Sequence, residues 1–100
     1  MKLTESQRKQ LRRLGHALKP VVLIGASGLS DSVAAEIDAA LEHHELIKIR
    51  IRAGDRAERD RVMQRVVERL RAEPIQRIGN MALIYRRAQE PKLSLPERAR

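Results

Sequence analysis

The chain has 100 residues, no cysteine, one aromatic side chain (Tyr85) and a formal net charge of +8. Without thiols it has no disulfide framework and no thiolate chemistry, and no apolar run approaches the ~20 residues of a membrane-spanning helix. A single domain this basic is expected to meet a polyanion, and one tyrosine excludes the multi-ring stacking platforms on which most single-strand readers rely.

The segment after Met1 is polar rather than apolar, so no signal peptide is expected and the cytoplasm is the expected compartment. The first helix starts at Thr4-Glu5-Ser6-Gln7, which has capping-box spacing with Thr4 as N-cap. Gln7, Leu11, Leu14 and Leu18 share one face, and Lys19-Pro20 ends the element. Gly15 is expected to weaken its last turn. Arg8 and Arg12, then Lys9 and Arg13, form two i,i+4 columns away from the apolar face.

Val21-Val22-Leu23-Ile24 reads as a short buried strand, with Gly25-Ala26-Ser27-Gly28 after it and Ser30 at a helix N-cap position. A strand ending in a glycine-bracketed turn and opening a helix presents backbone N–H groups at the helix's positive end, where a phosphate is favoured. The helix it opens, Asp31 to His44, has Val33, Ala34, Ile37, Ala40 and Leu41 as its apolar stripe. Its other side is acidic, with Asp31, Glu36, Asp38, Glu42 and Glu45 all expected to be exposed.

Leu46 to Arg52 alternates strictly: Ile47, Ile49 and Ile51 on one side, Lys48, Arg50 and Arg52 on the other. One sheet face therefore enters the core and the other carries a row of cations. Asp55 caps a third helix that is expected to run to about Glu73 and be closed by Pro74, burying Val62, Met63, Val66, Val67 and Leu70. Its outer arginines and carboxylates are spaced to pair locally. Ile75–Ile78 and Met81–Arg86 around Gly79-Asn80 predict a tight hairpin, with Tyr85 packing at the sheet surface rather than stacking on a base.

The expected fold is α/β: a two-layer sandwich in α-β-α-β-α-β-β order with a four-stranded mixed sheet. The first two strands run parallel, because they are joined through a helix. Residues 1–87 form the domain and 88–100 a mobile tail, since Pro91, Pro96 and scattered charges do not sustain an element.

No catalytic set emerges, so no enzyme is expected. Gly25-Ala26-Ser27-Gly28 lacks the spacing of a nucleophile elbow, the lysine of a P-loop and the third glycine of a dinucleotide fingerprint. His43-His44-Glu45 offers no third ligand at metal spacing. No metal or cofactor is expected.

Several stretches resemble the bacterial YhbY family, single-domain members of the chloroplast RNA splicing and ribosome maturation (CRM) group. They are Leu18 to Gly25, Gly28-Leu29, Ala35-Glu36-Ile37, Ala40 to Lys48, and Ile78-Gly79-Asn80 with Leu83 to Arg86. The resemblance spans about residues 1–87. It implies a fold similar to the C-terminal domain of translation initiation factor three and non-catalytic RNA binding during large ribosomal subunit assembly. It also implies ribosomal RNA of the subunit precursor as partner, ribosomal proteins as further partners, and no membrane. The family's Gly-x-x-Gly RNA contact maps onto Gly25, Ala26, Ser27 and Gly28. Where many CRM domains carry Lys, Arg or Asn in the middle of this loop, this chain has Ala26 and Ser27.

The expected RNA surface is therefore that loop with Arg8, Lys9, Arg12, Arg13, Lys19, Lys48, Arg50 and Arg52. The competing expectation is a protein–protein adaptor that uses the acidic helix 31–45.

Overall fold

Local signals set the ends of most elements in the computed structural model, which describes residues 2–91. Thr4 and Gln7 close the capping box: the Gln7 N–H donates to Thr4 Oγ1 (3.1 Å) and the Thr4 N–H donates to Gln7 Oε1 (2.9 Å). Helix α1 spans Glu5–Gly15, β1 Pro20–Ile24, α2 Asp31–His44, β2 Leu46–Ile51, α3 Arg56–Leu70, β3 Glu73–Ile78 and β4 Met81–Tyr85. Ser30 caps α2 by accepting from the Val33 N–H (3.2 Å), and Asp55 caps α3 by accepting from the Glu58 N–H (2.8 Å).

The strands form one mixed sheet in the order β1-β2-β4-β3, with β1 parallel to β2 and the other pairs antiparallel. This is the expected α/β architecture. Helices α2 and α3 cover one face. Their Ile37, Leu41, Val62, Met63, Val66, Val67 and Leu70 pack against Val22, Ile24, Ile47, Ile49, Ile51, Ala82 and Ile84 of the sheet. Helix α1 lies across part of the opposite face, where Leu3 and Leu11 join Leu46, Ile75, Leu83 and Tyr85 in a smaller core.

Tertiary packing moves several details. Helix α1 stops at Gly15, and Leu18 reaches the smaller core from the loop that follows. Gly15 is a contact point: a Cβ there would collide with the side chain of Leu83, so its absence lets the helix sit close on the sheet. Tyr85 is a packing residue as expected, and it is buried in the smaller core where α1 meets the sheet. Strand β2 stops at Ile51 and β4 at Tyr85, each one residue short of expectation.

Helix α3 ends at Leu70, three residues before the expected Glu73, because Arg71 adopts a left-handed conformation (φ 54°). Glu73 and Pro74 then belong to β3, an edge strand in which a proline costs no ladder bond on its open side. Glu45 is fully buried rather than part of the exposed acidic side. It ends α2 at φ 66°; its carbonyl accepts from the Arg86 N–H (3.0 Å) and its carboxylate from the Ala88 N–H (3.0 Å). The Gln89 N–H donates to Glu42 Oε1 (3.0 Å), so the chain just beyond β4 is held against α2. The remainder of the expected tail, residues 92–100, lies outside the described residues.

Candidate nucleic-acid interface

Buried Val22 and Ile24 anchor β1 and deliver residues 25–28 to the end of the sheet. There the chain makes a tight turn, with the Gly28 N–H donating to the Gly25 carbonyl (3.0 Å). Gly28 sits at φ +76°, a conformation L side chains rarely adopt. Gly25 has no positive φ, and a Cβ added to it would meet no atom within 4 Å. Ala26 and Ser27 are exposed at the tip. The Ser30 N–H donates to the Gly28 carbonyl (3.1 Å), so turn and helix cap are one continuous unit. The positive end of the α2 dipole therefore lies directly behind an uncharged, exposed turn.

Arg52 joins this unit through the backbone: its N–H donates to the Ile24 carbonyl (2.9 Å), and its side chain is exposed. A groove of about 320 Å³ runs between the turn, the 52–54 segment and α3, with Glu58 and Arg65 on its far wall. The local pairing expected on α3 is present: Glu58 is paired with Arg61 and with Arg65 (3.5 Å). The exposed Glu58 contact raises Arg61 above its ordinary pKa, chiefly by hydrogen bonding. Sequence reasoning misses Arg65 as a candidate because a local pattern shows only that it can pair. That its helix faces the glycine turn is a property of the fold.

The other expected cations separate into groups. Lys48 is half-buried opposite Pro20 and Leu83, and Arg50 is exposed between Leu23 and Met81, so both lie on the face that α1 covers incompletely. Lys19 is exposed just ahead of β1. On α1, Lys9 and Arg13 are exposed, but Arg8 and Arg12 have structural partners. Arg8 donates to the Pro74 carbonyl (2.9 Å) and pairs with Glu73 (3.4 Å), tying α1 to β3. Arg12 pairs with Glu5 (2.9 Å) and, by that hydrogen bond above all, holds the Glu5 carboxyl below its ordinary pKa.

The acidic side of α2 lies with α3, away from the open sheet face. Asp31 pairs with Arg69 (2.6 Å), and Arg86 pairs with Asp38 (2.8 Å) and Glu42 (3.8 Å). Arg86 also donates to the carbonyls of Leu70 (3.0 Å) and Asp38 (3.1 Å), which clamps both helices to the end of β4. The rings of His43 and His44 meet edge to face at 4.4 Å. Among the described residues no group of three or more His, Asp or Glu is placed to hold a metal, and no helix is long and apolar enough to cross a membrane.

Residues 3–86 match the CRS1/YhbY (CRM) domain. The chain is 38% identical over 96 residues to a Haemophilus influenzae protein named "RNA-binding protein", covering 96% of this chain and 97% of that one. It is 39% identical over 95 residues to a Pseudomonas aeruginosa protein named "Probable RNA-binding protein", covering 95% and 91% respectively. The solution structure of a hypothetical protein from Staphylococcus aureus, itself a candidate RNA-binding protein, superposes with a TM-score of 0.83 at 34% identity, over 95% of this chain and all of that one.

Proposed function

The chain belongs to the CRS1/YhbY (CRM) domain family, and from that premise we propose that it binds structured RNA, without catalysis, at the 25–28 turn and the cations beside it. The observation that carries this reading is the joining of an exposed glycine turn, a helix N-terminus and Arg52 in one hydrogen-bonded unit. Backbone amides at the turn fix a phosphate, and Arg52, Arg50, Lys48, Lys19, Lys9 and Arg13 attract the polyanion over a longer range. Arg8 and Arg12 belong to this surface only in part, since each is already engaged within the protein. The names of the relatives support RNA as the ligand class. The resemblance to the YhbY family supports a role on ribosomal RNA of large-subunit precursors in the cytoplasm, with ribosomal proteins as neighbours.

Gly25 is the position at which to test the contact. Gly25→Leu adds a side chain in open space without opposing a positive φ, whereas any bulky residue at Gly28 is strained in the free protein. Gly25→Leu is expected to weaken RNA binding while its denaturation midpoint stays near wild type. Arg52→Gln is expected to reduce the slope of log affinity against log salt by about 0.7–0.9, one phosphate contact. Wild-type affinity that ignores salt would sink the electrostatic mechanism. Sedimentation of lysate with and without nuclease tests the partner, because an RNA-mediated association with large-subunit fractions is lost on digestion. The adaptor reading predicts that association to survive, but Asp31, Asp38 and Glu42 are already engaged by Arg69 and Arg86.

A further inference from the structure

A cleft on the open sheet face shares only Lys48 with the turn-centred site. Gly15 lets α1 press onto Leu83, and the helix then ends at once, leaving the neighbouring part of the sheet uncovered. The space left is about 180 Å³, below the roughly 300 Å³ at which pockets for drug-sized ligands begin. Its floor is Leu83 and Met81, with Ile78, 62% exposed, at one side. His16, Lys48 and Gln76 supply the polar rim. Among the described residues the Gln76 amide makes no hydrogen bond and Lys48 no ion pair, so an acceptor, several donors and a positive charge converge on an apolar slot.

We propose that this cleft receives one unpaired nucleobase of the bound RNA. The inference rests on the RNA-binding reading above and deepens it. A flat heterocycle is the ligand this lining suits: it lies against Met81 and Ile78 over the buried Leu83, and its polar edge meets the Gln76 amide. Lys48 and, along the same face, Arg50 hold the flanking phosphates. An acidic peptide would satisfy the cations but leave an apolar slot of this size unused, and a purely aliphatic ligand would leave Gln76 and Lys48 unmatched. Aliphatic side chains here take the place of the aromatic platform that the composition lacks. The slot also gives the protein a reason to prefer RNA with an unstacked base over a continuous duplex, in which every base face is already covered.

The test uses the full chain with carbon-labelled methyl groups and a short oligoadenylate as probe. Saturation is expected to move the Ile78, Met81 and Leu83 methyl signals by ring-current shifts, while inorganic phosphate leaves them in place. Gln76→Leu keeps the shape of the slot and removes its polar edge. It is expected to weaken oligoadenylate binding roughly two- to tenfold, the worth of one neutral hydrogen bond, with duplex affinity and the salt slope unchanged. Salt-dependent binding with unmoved methyls, or equal losses on single strand and duplex, would overturn the slot and leave the turn-centred reading standing. An absence of any salt-dependent RNA binding would overturn both.

Discussion

Ile47, Ile49 and Ile51 leave β2 toward α2 and α3, while Lys48 and Arg50, one residue away in each case, leave the same strand toward the opposite surface. The first face is closed by two helices and carries the larger core. The second is crossed by one short helix, and Val21 and Leu23 on its edge strand remain about half exposed, at 50% and 49%. Salt bridges occur on both sides: Arg69 and Arg86 engage Asp31, Asp38 and Glu42 beside α2 and α3, and Arg8 and Arg12 engage Glu73 and Glu5 at α1. Lys48, Arg50, Lys9 and Arg13 stay without an ion pair among the described residues. One layer thus supplies stability and the other is left for a partner, because a sheet needs only one well-covered face to fold.

The sharpest way to break this comparison is to truncate one buried residue on each side. Ile37→Ala, in the larger core, is expected to cost about 3–5 kcal/mol by chemical denaturation, and Leu11→Ala under α1 about 2–3 kcal/mol, since a small core at the rim collapses more readily around a cavity. Equal losses would mean that α1 is as integral to folding as α2. Next in size, Arg86→Met is expected to cost about 1–3 kcal/mol, because it leaves the Leu70 and Asp38 carbonyls without their donor. RNA affinity should be untouched; a parallel fall in affinity would place Arg86 in the interface.

The smallest effect is a pH dependence. Burial, with the charge of Glu45 adding to it, raises the Tyr85 hydroxyl above its ordinary value of 10.0. A group raised in the folded state contributes fully below its unfolded pKa, and the contribution is lost as pH rises through the folded one. Wild type should therefore lose stability as the pH climbs past about 10. Tyr85→Phe should flatten that part of the profile; an identical alkaline slope in the variant would assign it to other groups.

Much of the layout is legible from residue order alone, because it depends on short-range chemistry. Thr4, Ser30 and Asp55 cap their helices as their spacing predicts, and the Ile/Lys–Arg alternation of β2 assigns its two faces before any partner strand is known. The glycine turn and its place before α2 follow in the same way. Other features depend on what lies across the core. Pro74 serves as an edge-strand residue rather than a helix stop because Arg71 has already turned the chain toward the sheet. Glu45 is buried because the end of β4 arrives at the α2 terminus with N–H groups to satisfy.

Residue order by itself determined the helices, the parallel crossover, the two-sided β2 and the exposed turn, since each follows from periodicity, capping or backbone freedom within a few residues. Only the tertiary structure decided which cations have partners and which are available. It alone brought Arg65 opposite the turn and opened a slot beside Gly15, because those relations join residues from distant parts of the chain whose meeting no local pattern encodes.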